Sequence, residues 1–238
     1  MADTLMTAPW PQQAAGIGFL LLTVAIYYLS KWLYGRVRTM LLMPLLLTPI
    51  ILVAILLHYH ISYDAYMLDS HWLLWLLGPA TVAFAIPIHE HRQLIRQHWL
   101  SLSVGVVVAM TVAVSSSVLL ARGFGLPELL QRSLAMRSVT TPFAIEASKM
   151  VHGDSNLTAL FVVLTGLIGM TIGEAILGLL AIRSSLGKGA CLGAASHGGG
   201  TAKAFQIGNE EGVIASIVML LAGVFTVIIA PWVGHLLW

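Results

Sequence analysis

Residues Gly187 to Ile207 read GKGACLGAASHGGGTAKAFQI, with glycine at 187, 189, 193, 198, 199 and 200. On both sides lie long apolar runs, Asn156 to Ile182 before it and Gly212 to Trp238 after it. A run of about 17 to 25 apolar residues is what a helix needs to cross the ~30 Å hydrocarbon core. Non-helical backbone at that depth survives only where protein or a water-filled cavity satisfies its polar groups. A glycine-rich stretch held between two spans therefore reads as a re-entrant or broken helix inside a membrane protein.

Further runs toward the N-terminus are Ala15 to Leu33, Met40 to Ile61, Trp72 to Ile88 and Trp99 to Leu120, which gives about six full spans. They are continuous rather than alternating at period two, so helices are expected and not barrel strands. Composition agrees: of 238 residues 58% are hydrophobic and 9% charged, against roughly 25% charged in a soluble domain. A soluble enzyme is excluded, and the class is an all-α polytopic membrane protein. The first run is read as a retained span, because no Lys or Arg precedes it before Lys31 and no small-residue cleavage site follows it. One cysteine, Cys191, allows no internal disulfide. A net charge of +2 gives no reason to expect nucleic acid as a partner.

Lys31, Arg36, Arg38, Arg92, Arg96, Arg183 and Lys188 fall in alternate inter-run segments, whereas Ser62 to His71 carries Asp64 and Asp69 and no Lys or Arg. The positive-inside rule places the basic segments in the cytoplasm and Ser62 to His71 outside. The N-terminus is then extracytoplasmic. Arg122 and Arg132 stand against the rule. On this scheme the chain between Ala121 and Asn156 returns to the side it left.

That returning segment holds a second unusual stretch, Gln131 to Met150 (QRSLAMRSVTTPFAIEASKM), too hydrophobic for an exposed loop and too polar for a lipid-facing helix. It resembles Gly187 to Ile207 at an offset of 57 or 58 residues: Ser138 falls over Ser196, Ala144 over Ala202, and Thr165-Gly166 over Ala222-Gly223. Two such breaks entering from opposite sides form an inverted repeat, the arrangement of secondary transporters whose sites lie at the midplane. Chance likeness between Gly/Ala-rich segments is the competing explanation.

The chain also resembles the LrgB/CidB family, on LGPATVAFAIP (Leu77 to Pro87), RSVTTPFAI (Arg137 to Ile145), LTALFVVLTGLIGMTIG (Leu157 to Gly173) and ASHGGGTAKA (Ala195 to Ala204). MPLLLTPI at Met43 and ISYDAY at Ile61 match more weakly. The resemblance implies one family domain over 1–238, with N-terminal spans over 1–71 and a core over 72–238, in the bacterial cytoplasmic (inner) membrane. It implies either of two roles. One is antiholin-like control of murein hydrolase export and autolysis beside a holin-like partner of the LrgA/CidA type. The other is carriage of a small monocarboxylate of the glycolate, glycerate, lactate or pyruvate class, since plastidal relatives are glycolate/glycerate translocators and bacterial relatives have been linked to pyruvate uptake. No cofactor is implied, and a homo-oligomer stays open. Family members usually have Pro-Lys where this chain has Met136-Arg137, and SHAIGTA where it has SHGGGTA. Arginine keeps the charge but presents a planar fork suited to a carboxylate.

Arg137, Ser138, Thr140 and Thr141 are the first candidate substrate-binding cluster: a cation beside hydroxyls and the free N–H groups of a half-helix suits a small anion. The bland reading is that Arg137 snorkels to the interface. Ser196, His197, Gly200, Thr201 and Lys203 are the second cluster, and His197 is the candidate for proton exchange. Gly78, Pro79 and Thr81 mark a kink able to line the same cavity. Gly166, Gly169 and Gly173 form a small-residue stripe for close helix packing. Glu174, inside a long run, needs a counter-charge. Arg183 is the nearest along the chain, and Glu146 and Lys149 pair at spacing three. Arg132 is placed outside the cavity. His89, Glu90, His91 and His98 lack the HExxH spacing of a metal site. Ser196-His197 adjacency is not catalytic geometry, and no GxSxG exists, so no enzyme is expected.

Overall fold

The computed structural model describes residues 10–37, 39, 42–76, 78–79, 82 and 85–237. All regular structure among them is helical: α1 (Trp10–Arg36), α2 (Pro44–His58), α3 (Tyr63–Trp75), α4 (Ala85–Glu90), α5 (Arg92–Gly123), α6 (Glu128–Ala135), α7 (Thr141–Met150), α8 (Ser155–Leu179), α9 (Ser185–Ile207) and α10 (Asn209–Leu237). The chain divides into two compact units, Met1–Ala80 and Thr81–Trp238.

In the first unit α1 packs on α2 and α3. Gly16 leaves room for Asp69 and Leu68 of α3, and Thr23 Oγ1 meets the Tyr66 hydroxyl at 3.1 Å. Ser62 to His71, the segment without Lys or Arg, is largely helical as part of α3. Ser62 caps α3 by accepting from the Ala65 N–H at 3.3 Å, and Tyr66 packs its ring against Phe19.

Among the described residues four helices are long and apolar enough to cross a bilayer: Gly16–Arg36, α5, α8 and Asn209–Leu236. Of the remaining expected runs, Met40 to Ile61 contains the 15-residue α2. Among the described residues, no single helix covers Trp72 to Ile88. Proline has no N–H to give a helix and clashes with the preceding turn, and Pro79 and Pro87 both lie in that run.

The second unit carries the two unusual stretches, and each is a helical hairpin. In the first, α6 enters, the chain breaks over Met136 to Thr140, and α7 returns. Thr140 and Pro142 start α7, since proline fits a first turn where its missing N–H is no loss. The return is pinned by buried hydroxyls. Ser133 Oγ on α6 accepts from the Asp154 N–H at 2.9 Å, and the Thr158 hydroxyl donates to the Ser133 carbonyl at 3.2 Å and meets Ser148 Oγ at 2.8 Å. Arg132, salt-bridged to Glu128, also donates to the Val151 carbonyl at 2.7 Å. An unbroken helix from residue 133 to 151 would hold these groups roughly 27 Å apart, so both limbs open toward one end. Asp154 then caps α8 by accepting from the N–H groups of Asn156 and Leu157.

The second hairpin is α9, 23 residues long and folded at His197. Gly189 on its first limb approaches the Glu211 carbonyl and Ile214 of α10, with a Cβ position 2.6 and 2.8 Å away. Phe205 on its second limb lies over Gly212 of the same helix. Two residues 16 apart thus meet one turn of α10. Ala144 and Val139 of the first hairpin and Ala194 of the second share a buried cluster with Leu102, Val106 and Met110 of α5 and Ile214, Ile217, Val218 and Ala222 of α10.

Candidate substrate site

The hairpins approach from opposite ends of α8 and meet beside its middle. From the first tip, the half-buried Arg137 donates through Nη1 to the Thr165 hydroxyl at 3.1 Å, and through Nε to Ser117 Oγ of α5 at 3.0 Å. From the second tip, the buried His197 rests on Gly166, whose Cβ position is 3.1 Å from the imidazole Cε1. Thr165 and Gly166 are consecutive, near the centre of the 25-residue α8. Arg137 and His197 thus reach consecutive residues of α8 from the two tips.

His197 has φ 38° and ψ −117°, a conformation that an L-residue other than glycine rarely adopts. Strain of this kind costs of order 1–3 kcal/mol and persists where the surroundings over-determine it. Its Nε2 is buried with no hydrogen-bond partner, as is Thr140 Oγ1 at the first tip. Beyond each tip a helical limb begins, α7 at Thr141 and the second limb of α9 at Gly198. No side chain caps α7. The uncapped start of α7 therefore directs N–H groups and a positive dipole end toward the meeting point.

A cavity of about 620 Å³ opens beside this point. Arg137, Ser138, Thr165 and Ser196 form its polar end, while Val108 and Val112 of α5 and Ile168, Ile172 and Ile176 of α8 line the rest. Cys191 also faces it. Those valines and isoleucines are exposed, so the cavity is a groove open along its apolar wall, and the convergent polar groups at its end are what a small polar ligand could use.

The other anticipated residues are distributed differently. Thr140 is buried at the first tip and Thr141 partly so, outside the cavity lining. Gly200 packs within its own hairpin against the Leu192 carbonyl, and the Thr201 hydroxyl turns to Met219 Sδ at 3.7 Å. Lys203 is bound to Glu174 at 2.6 Å. This corrects the expectation that Arg183 neutralises Glu174: the hairpin returns Lys203 to the flank of α8, and proximity along the chain does not decide the partner. Glu146 and Lys149 do pair, at 2.7 Å. Gly78 and Pro79 are exposed in the first unit, and Thr81 lies outside the described residues.

On α8, Gly169 faces Ser196 and Gly173 faces Leu192, and Gly199 abuts the Gly166 carbonyl. The stripe is where α9 reaches α8 most closely. Among the described residues no three His, Cys, Asp or Glu side chains gather to hold a metal ion.

Ser117 and Thr165, which orient Arg137, were not singled out from sequence. The available signal was Ser115-Ser116-Ser117, a polar patch in an otherwise apolar run, and the place of Thr165 in the repeat match.

The profile of the LrgB-like family matches residues 23–236. Uncharacterized protein YwbG of Bacillus subtilis is 38% identical over 217 residues, covering 91% of this chain and 96% of that protein. Uncharacterized protein YxaC of the same organism is 37% identical over 228 residues, covering 94% and 99%. Holin-like protein CidB of Staphylococcus aureus is 32% identical over 212 residues, covering 89% and 93%. No solved structure matches the chain.

Proposed function

Because this chain belongs to the LrgB-like family of membrane proteins, we propose that it carries a small monocarboxylate of the glycolate, glycerate, lactate or pyruvate class across the bilayer as a secondary transporter. The observation that carries this reading is the meeting of two oppositely directed hairpin tips at Thr165 and Gly166, with Arg137 and His197 brought to one place. Discontinuous helices ending at mid-membrane are how such carriers bind charged solutes, since half-helix N-termini and a fixed cation replace the water an anion leaves behind.

Arg137 supplies the charge-assisted hydrogen bonds, Ser138 and Ser196 the neutral ones, and His197 a group able to exchange a proton, while the Thr165 hydroxyl, donating to the Phe161 carbonyl, positions Arg137. Uptake of labelled glycolate, glycerate, lactate and pyruvate into liposomes containing the chain tests this. Arg137→Gln should abolish uptake, because a carboxylate in the cavity would keep its desolvation cost without its partner. Arg137→Lys should retain part of it, and His197→Gln should flatten its dependence on pH. Normal uptake by folded, inserted Arg137→Gln would refute the anion site.

A second reading is regulation of a holin-like membrane partner, supported by the likeness to holin-like protein CidB. No uptake of any of the four acids, with or without a co-reconstituted LrgA-like protein, would favour it.

A further inference from the structure

Glu174 is the one acidic residue placed deep in a long helix of this chain. α1, α5 and α9 hold no Asp or Glu, and the acids of α10 are Glu210 and Glu211 in its first turn. Ile176, Leu179 and Leu180 continue past Glu174 as exposed apolar residues, which keeps it about 8 Å inside the apolar zone of α8. A charge at that depth needs a counter-charge. Lys203, bound to Glu174 at 2.6 Å, supplies it from another element, the second limb of α9, three residues after the Gly198-Gly199-Gly200 turn. The limb is therefore tied to α8 by a bond that its own displacement breaks.

We propose that this pair couples a proton to movement of the limb. When the limb leaves α8, Lys203 goes with it, and Glu174 is stranded in hydrocarbon, where the neutral acid is far more stable than the bare carboxylate. Glu174 then takes up one proton from water, –COO⁻ + H⁺ → –COOH, and gives it back when Lys203 returns. By linkage, the proton favours the displaced limb as much as displacement favours the proton. The limb begins at the tip that rests on Gly166, so the same movement alters the site. The use of this coupling in transport rests on the carrier reading, to which it adds the coupling ion.

The other ionisable residues on the helices packed against α8 are placed differently. Glu146 and Lys149 of α7 bind each other, and Arg132 of α6 binds Glu128. On α9, His197 rests on Gly166, Cys191 lines the groove and Lys188 lies in the first turn.

Two readouts test the coupling. Spin labels on cysteines at Ile176 and Phe205, both exposed, in a Cys191→Ser background report the separation of α8 and the limb in liposomes. Their dipolar broadening should weaken as the buffer is acidified. Glu174→Gln should be weakly broadened at every pH, Glu174→Asp should restore part of the response, and Glu146→Gln, which breaks a similar pair away from the hinge, should behave as the wild type. In the second readout a pH gradient drives uptake of labelled glycolate, glycerate, lactate or pyruvate, with protein-free liposomes as the blank for diffusion of the neutral acids. Glu174→Gln should lose gradient-driven accumulation while exchange of internal for external acid at equal pH continues. All variants keep His197, so its proton exchange is common to them.

Broadening that ignores pH in the wild type, or that responds equally in Glu174→Gln, would overturn the proposal. Normal gradient-driven accumulation by Glu174→Gln would overturn it as well. A wild-type spectral response without uptake of any of the four acids would overturn the carrier reading and leave the proton-linked limb standing.

Discussion

Two neighbouring glycines at the second tip should respond in opposite ways to the same added methyl group. A Cβ on Gly199 would meet the backbone of α8, 2.8 Å from the carbonyl carbon of Gly166 and 3.0 Å from its Cα. Carbon atoms settle near 3.5–4.0 Å, so the tip would have to retreat by about 0.7 Å. Overfilling a packed contact of this kind costs about 1–3 kcal/mol. A Cβ on Gly198 meets nothing within 4 Å. Alanine's better helix propensity, up to about 1 kcal/mol, applies to both positions and cancels in the comparison. Gly199→Ala should therefore unfold below Gly198→Ala by about 1–3 kcal/mol, or roughly 2–10 °C at this chain length. Tryptophan fluorescence during a thermal scan of the purified protein in detergent would read the difference. The displacement also carries His197 off Gly166, so Gly199→Ala should lose ligand affinity while Gly198→Ala keeps it. Equal melting of the two variants, or a lower melting temperature for Gly198→Ala, would show that the tip is not packed against α8 as described.

Ser117→Ala and Thr165→Val each remove one hydrogen bond that orients Arg137, and each should weaken carboxylate binding by about ten- to a hundredfold, the worth of a bond to a charged group; protection of Cys191 from a maleimide by the added acid measures it, and unchanged affinity in both would mean Arg137 needs no orienting. Lys203→Gln leaves the Glu174 charge on the face of a membrane helix at a cost of about 2–3 kcal/mol. The Glu174→Gln/Lys203→Gln double variant should recover most of that in thermal stability, and a double variant as unstable as the single one would contradict the pairing. Single cysteines at Asp69 and Arg92 in a Cys191→Ser background should label from opposite sides of the membrane with an impermeant maleimide; labelling from one side would overturn the orientation drawn from basic residues.

How far sequence carried can be judged residue by residue. The hairpins were legible because proline and clustered glycine are local signals: Pro142 cannot continue a helix backward, and a glycine-rich stretch between two spans needs protein around it. Arg137 and Ser196 stood out for the same reason, as polar residues where lipid would not accept them, and both line the cavity. The residues that hold Arg137 in place were hidden, since Ser117 and Thr165 come from helices 20 and 28 positions away. Lys203 shows how the fold adds a partner that its motif does not announce. Its motif neighbours suggested a ligand, and only the fold of α9 brings it to Glu174. The polar start of α3 carries no apolar run to announce it, and its stability comes from a cap and from packing on α1.

The two tips also differ in mechanical stiffness. The first resumes its helix through Thr141 and Pro142, where a fixed pyrrolidine ring holds φ, while the second resumes through Gly198, Gly199 and Gly200. Each glycine forfeits about 1 kcal/mol of helical preference relative to alanine, so uncoiling that turn is cheaper by roughly 3 kcal/mol than uncoiling an alanine one. An equal pull on both hairpins would therefore bend the second first. The site is built with one rigid jaw and one compliant jaw, and the compliant one carries the imidazole.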